Sequence, residues 1–130
     1  MSSMHQYRKG KLDDLSRLRF EDGMSVTAKS LEFNVFGVGH ELWIAVEPGV
    51  IIAIAVLAEE NQGRVRILRL EVAPSRKKER VGSALLKAIM REYPQRGLSV
   101  VPFDGTEEFY KQLGFLHDAR WQMMLKPSPQ

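Results

Sequence analysis

The stretch Arg64 to Tyr93, RVRILRLEVAPSRKKERVGSALLKAIMREY, allows few arrangements. It opens as a strand rich in Val, Ile and Leu, which Pro74 ends because proline has no N–H to give a sheet. A basic turn with Lys77, Lys78 and Arg80 follows. Val81, Leu85, Ala88 and Ile89 then recur at helical spacing, with Gly82 just inside the helix and Lys87 and Arg91 facing away. This order sets a helix N-terminus beside the end of a strand. The first helical N–H groups lack intrahelical acceptors and carry the positive end of the dipole, so such a terminus binds phosphate. Gly82 and the flanking cations add to that attraction. The segment reads as an anion cradle suited to a pyrophosphate-bearing ligand, against the plainer reading of a solvated basic turn. Neither a G-x-G-x-x-G nor a G-x-x-x-x-G-K-[ST] loop is present, so the anion would be held mainly by backbone N–H groups.

The strand's own pattern leaves two readings open. Val65 and Ile67 share one parity, while Leu68, Leu70 and Val72 share the other. Either a β-bulge lies near Ile67-Leu68 and frees backbone groups for a ligand, or the strand is buried on both faces.

A chain of 130 residues, 44% apolar and 27% charged, is expected to form one domain spanning 1–130, with 126–130 as a frayed tail. There is no cysteine, which excludes disulfides, thiolate nucleophiles and cysteine metal sites. His5, His40 and His117 show no ligand spacing, so no metal is expected. The net charge of +3 is too small for a dedicated nucleic-acid binder. A nucleic-acid reading of Arg64, Arg66 and the Arg76 to Arg80 cluster also lacks interleaved aromatics, and it predicts binding that falls steeply with salt. The N-terminal MSSMHQYRKG has no apolar signal segment. The longest apolar run, Gly49 to Ala58, is too short to span a bilayer. The expectation is a cytoplasmic protein with no nucleic-acid or membrane partner.

Met4 to Arg8 reads as a first edge strand. Leu12, Leu15 and Leu18 mark a short helix with Asp13 and Asp14 in its first turn. Asp22-Gly23 is a turn, and Ser25 or Thr27 caps a second helix through Leu31. Glu41 to Val46 and Val50 to Leu57 read as an antiparallel hairpin, the second strand apolar enough to be covered on both faces. After the long helix, which Pro94 ends, Gly97 to Val101 is a strand parallel to the Arg64 strand. Asp104 reads as an N-cap with Glu107 three residues on, followed by a helix to Gly114 and a last strand or hairpin over Phe115 to Leu125. The expected fold is α/β: a mixed, mostly antiparallel central sheet flanked by helices. Edge strands near either end offer pairing in a possible homodimer.

EVAPSRKKERVGSALL resembles the coenzyme-A-binding motif of the GNAT superfamily of acetyltransferases, V-x-P, then Q/R-x-x-G-x-G/A, then a helix. Val72 and Pro74 match its start, Lys77 falls on the Q/R position and Gly82 on the last glycine. FYKQLGFLHD is similar to the family's second motif, and together with the strand order the resemblance covers about Glu41 to Leu125. It departs at Arg80, which replaces the middle glycine, and at Phe103, where many relatives carry asparagine. Two outcomes are open for Arg80: pairing with a phosphate, or narrowing the site.

The resemblance implies a GNAT-like acyl-CoA N-acyltransferase fold. It implies transfer of an acetyl group from acetyl-CoA to a primary amine, on a small molecule or a peptide, by direct attack. Leu70 and Val72 would hold the pantetheine arm as an added strand. The segment containing Lys77, Lys78, Arg80, Val81, Gly82 and Ser83 would hold the pyrophosphate. Tyr110 falls at the position of the acid that protonates the leaving thiolate, unless it is only a packed aromatic. Glu71 is the first candidate for the base or water-orienting group, with an ion pair to Arg69 as the alternative. Asp104 is better explained as a cap, and His40 and Glu41 are weaker candidates. Leu31, Phe33 and Phe36 either line an apolar acceptor pocket or belong to the core. A non-catalytic acyl-CoA-binding regulator acting through a protein partner is the competing reading.

Overall fold

Two adjacent apolar strands organise the interior. β3 (Glu41–Glu47) and β4 (Val50–Glu59) form an antiparallel hairpin, and β4 is buried from Val50 to Leu57. Alternation along β3 sends Leu42, Ile44 and Val46 to one core and Trp43 and Ala45 to the other. β4 also contributes to both cores, so it is covered on both faces, as its near-continuous apolar run predicts. The computed structural model describes residues 5–60, 63–118 and 123–127. The expected tail beyond 127 and the start of the first strand at Met4 lie outside them.

The elements run β1 (Gln6–Lys9), α1 (Asp14–Arg17), β2 (Arg19–Phe20), α2 (Ala28–Asn34), β3, β4, β5 (Val65–Val72), α3 (Val81–Glu92), β6 (Leu98–Val100), α4 (Glu107–Gln112), β7 (Leu116–Asp118) and β8 (Met123–Lys126). The sheet order is β1-β3-β4-β5-β6-β8-β7. β5 and β6 are parallel, joined by the α3 crossover, and the other pairs on this path are antiparallel. The mixed, mostly antiparallel sheet flanked by helices is therefore the expected architecture.

α3 packs on one face through Val81, Leu85, Leu86 and Ile89, with Tyr110 and Phe115 beside it; α1 and α2 cover the other through Leu15, Leu31 and their neighbours. Leu31 is core and Phe36 packs against the same cluster, as the core reading has it, while Phe33 is exposed.

Three local expectations need correction or choice. Asp104 is not a cap: the turn through Gly105, at φ 85°, places Thr106 at the N-cap of α4, with no side-chain capping bond. Thr27, not Ser25, caps α2 by accepting from Ser30 N–H at 3.1 Å. β2 is an element the sequence did not suggest. It pairs parallel to β4 at Val50 and Ile51. β3 already takes one edge of β4 there, so β2 takes the edge that β5 uses further along.

Asp14 pins this N-terminal region. It is 1% exposed and accepts both guanidinium nitrogens of Arg8 at 2.8 and 2.9 Å, Lys11 N–H at 2.8 Å and Arg17 at 2.9 Å. The Arg8 bonds lead in holding its carboxyl down to about 2. A depressed folded-state pKa stabilises above the unfolded value and is lost as pH falls through the folded one. We expect wild type to lose about 2 kcal/mol from this source between roughly pH 4 and 2. Asp14→Asn should lack that component and be about 3 kcal/mol less stable at pH 7. Urea unfolding at stepped pH checks both.

Candidate functional site

The strand that ends in the basic turn is paired on both sides for only part of its length. β5 pairs with β6 over Val65–Ile67 and then leaves it. Its pairing with β4 continues to Val72, but the register shifts because Val56 faces Arg69 while Leu57 faces Ile67. Leu68 is thus the extra residue of a β-bulge, which decides between the two sequence readings. Ala73 N–H donates to Ile52 O toward β4 at 2.9 Å. Backbone direction alternates, so Leu70 and Val72 turn their N–H and C=O groups to the open edge.

A cleft of about 820 Å³ opens along that edge. β5 residues 67–72 form one wall; Val100, Val101 and Phe103 with α4 residues form the other; and Lys77, Arg80, Gly82 and Ser83 close one end. Of the sequence-predicted residues, Leu70, Glu71, Val72, Lys77, Arg80, Gly82, Ser83 and Tyr110 line this one cleft. Lys78 is exposed outside it, and Val81 is fully buried beneath it. Lys87, expected to face away, also lines it.

The end of the cleft is a helix terminus without a cap. A 3-10 turn over Pro74–Glu79 precedes α3, and Arg80 at its N-cap makes no side-chain capping bond. The first intrahelical bond runs from Ala84 N–H to Arg80 O at 3.1 Å, leaving the amides of Val81, Gly82 and Ser83 ahead of it. Gly82 lets α3 sit close to β5: a Cβ there would lie 3.2 Å from Val72 Cγ2. Arg80 has φ 58° and ψ 28°, and among the described residues it alone, apart from glycines, has positive φ. The backbone shape that a glycine would adopt freely is therefore kept by an arginine. Its side chain lines the cleft.

Tyr110 lies at the far wall, 6% exposed, its ring edge-on to Phe109 at 5.0 Å and to Phe115 at 5.3 Å. Burial pushes its phenol up to about 12. Glu71 points to the other face of the sheet. Ser25 N–H donates to it at 2.6 Å, Ser25 Oγ at 2.9 Å and Arg69 Nη2 at 3.1 Å. Burial opposes its ionisation, but these hydrogen bonds together outweigh it and hold the carboxyl below its ordinary value. Ser25, 46 positions away in sequence, is a partner the sequence gave no sign of. Glu41 accepts from Tyr93 and Trp43 and His40 stands at the same strand entrance; neither lines the cleft.

Other arginines of the basic clusters are committed to carboxylates: Arg64 and Arg66 to Glu60, and Arg76 to Glu47 and Glu21. Among the described residues no helix is long and apolar enough to cross a membrane, and no group of acidic and histidine side chains has the geometry to hold a metal ion.

The model of the acetyltransferase (GNAT) family matches residues 7–115. Sequence comparison with curated proteins gives no match. Among solved structures the chain is similar to an acetyltransferase of the GNAT family from Staphylococcus aureus Mu50, at 14% identity and TM-score 0.72, covering 96% of this chain and 99% of that one. It is similar to the ribosomal-protein-S18-alanine N-acetyltransferase from Escherichia coli, at 16% identity and TM-score 0.72, covering 98% and 96%. It is also similar to a GNAT family acetyltransferase from Brucella melitensis in complex with acetyl-CoA, at 18% identity and TM-score 0.69, covering 99% and 91%. At these identities the likeness is one of fold.

The left-handed arginine gives a direct test of this geometry. A non-glycine residue there costs about 1–2 kcal/mol, partly offset by the stiffer unfolded chain. Arg80→Gly should therefore raise the melting temperature of the ligand-free protein by about 2–5 °C. A fall on differential scanning calorimetry would show that Arg80 makes a compensating contact.

Proposed function

This chain belongs to the GNAT acetyltransferase family, and on that premise we propose that it moves an acetyl group from acetyl-CoA to a primary amine by direct attack. The observation that carries the proposal is the open edge of β5 leading into the uncapped start of α3. The residues present fit the ligand. A pantetheine arm is amide-bearing and extended, and the free N–H and C=O groups of Leu70 and Val72 suit it as one more strand. A pyrophosphate suits the amides of Val81 to Ser83, with Lys77 and Arg80 adding positive charge. When bound, acetyl-CoA supplies an acetyl group activated as a thioester.

The chain's own residues then have two tasks. Tyr110 keeps a proton at its hydroxyl through the neutral range, because burial raises its pKa, and can give it to the leaving thiolate. Glu71 stays ionised and is held by three donors, which makes it a weak proton acceptor. Its role is to orient the incoming amine or a water beside it, and the amine sheds its proton to solvent. The charged residues lining the cleft are Arg69, Glu71, Lys77, Arg80 and Lys87, while Leu68, Val101 and Phe103 are exposed apolar side chains on its walls. That balance supports an acceptor with one amine beside an apolar group rather than a polyamine. The structural relative named for acetylating a ribosomal-protein alanine supports an amine acceptor at the end of a peptide as readily as a small molecule.

One observation favours a binding-only reading. Among the described residues Glu71 is the sole carboxylate lining the cleft, and it is already paired. Acetyl-CoA binding without transfer to any amine would favour a regulator acting through a protein partner.

The test is acetyl transfer to a panel of monoamines, polyamines and short peptides, for wild type and Tyr110→Phe. Tyr110→Phe should lower kcat about 100-fold and leave acetyl-CoA affinity within about twofold. Wild-type kcat/KM should rise with pH toward the amine's pKa near ~10. A falling limb at pH 8–9, or an unchanged kcat in Tyr110→Phe, would remove Tyr110 from the mechanism.

A further inference from the structure

One cation of the basic turn faces away from the cleft. Arg76 donates through Nη1 and Nη2 to Glu47 Oε2 and Oε1 at 2.6 and 2.7 Å, and through Nε to Glu21 Oε2 at 3.0 Å. Its side chain is 20% exposed. Glu47 ends β3, Glu21 follows β2, and His5 ahead of β1 adds a contact to Glu47 Oε2 at 2.8 Å. Three stretches distant in sequence meet at one guanidinium, and His5 joins them through Glu47. The hydrogen bonds to Glu47 and then Glu21 raise its pKa further, and the Arg76 bond leads in lowering that of Glu47. Such paired, charge-assisted bonds fix orientation in a way a lysine's point charge does not.

The turn needs an anchor. It is a short 3-10 segment with the bond Arg76 N–H to Ala73 O at 2.8 Å, and it ends in the left-handed Arg80. Strained backbone of that kind persists only where the surroundings hold it. Arg76 is tied down at the middle of the turn, while Pro74 at its start packs near Gly23, where an added Cβ would lie 3.0 Å from Pro74 Cγ.

We propose that Arg76 is a positioning residue: it bolts the turn to the β3–β4 hairpin and the β2 exit, so that Arg80 and the first amides of α3 are set toward the cleft before any ligand arrives. Its bearing on catalysis rests on the acetyl-CoA reading above. The same residue acting as a direct attractor of phosphate makes the opposite prediction for Glu47. Removing that carboxylate would strengthen an electrostatic site, but it weakens a positioned one.

The experiment measures acetyl-CoA affinity by calorimetry, steady-state kinetics and amide hydrogen exchange on the full chain. The variants are Arg76→Met, Arg76→Lys, Glu47→Gln and the double Arg76→Met/Glu47→Gln. Arg76→Met should weaken acetyl-CoA about tenfold or more, with kcat at saturation within about threefold of wild type. Arg76→Lys should recover only part of the loss. Glu47→Gln should also weaken binding, and the double variant should be no worse than the poorer single one. Exchange should quicken at the bonded amides of Arg76 and Ala84 while the β4 amides stay protected, which separates a loosened turn from an unfolded protein. Tighter binding by Glu47→Gln, or unaltered exchange at both Arg76 and Ala84 in Arg76→Met, overturns the proposal. Wild type that fails to bind acetyl-CoA would sink the acetyltransferase reading, and the exchange result would still decide the role of Arg76.

Discussion

β5 cannot satisfy its backbone on both sides once it leaves β6, and the site follows from that. Pairing stops at Ile67, the bulge at Leu68 shifts the register, and the remaining edge is left with hydrogen-bonding groups turned outward. A lone exposed edge invites uncontrolled pairing with other chains. Here it lies inside a cleft, walled by the β6–α4 connection and closed at one end by the start of α3. The parting of two parallel strands thus creates in one place an extended hydrogen-bonding edge and a helix terminus. The first suits a strand-like ligand arm and the second an anion.

The turn between them divides its charges. In sequence Arg76, Lys77, Lys78 and Arg80 look alike. In the fold Lys77 and Arg80 face the cleft, Lys78 faces solvent, and Arg76 is paired with two carboxylates from the opposite side. Arg80, which stands where the family motif has glycine, takes a left-handed backbone conformation of the kind glycine adopts freely. The segment after β2 serves both halves of the cleft, since Glu21 holds Arg76 and Ser25 holds Glu71.

Local signals carried most of the fold. The strand, proline and amphipathic helix of β5 and α3, the β3–β4 hairpin and the parallel return of β6 all rest on periodicity and turn residues within short windows. The basic turn and the start of α3 were legible for the same reason, whereas Leu70, Val72 and Tyr110 were marked by the resemblance to the family's motifs and not by periodicity. What was not legible depends on distant segments. β2 is too short to show a period. The Asp104 pattern matched a capping box, but Thr106 Oγ1 bonds Phe103 O at 2.6 Å and the positive φ of Gly105 carries the chain past the cap before the helix begins. The Ser25–Glu71 bond and the Arg76–Glu47 pair join residues far apart in the chain, and no local pattern announces them.

The central claim is that this edge and this helix terminus form an acetyl-CoA site despite Arg80. Thermal unfolding with acetyl-CoA, CoA, ATP and NAD added separately tests it most directly. A ligand present at about 100 times its dissociation constant adds about 2.7 kcal/mol, which for a domain of this size raises the melting temperature by about 5–15 °C. The account predicts that rise with acetyl-CoA and CoA and none with NAD. An unchanged melting temperature with both CoA compounds would mean that the arginine side chain has closed the cradle, and it would contradict the account.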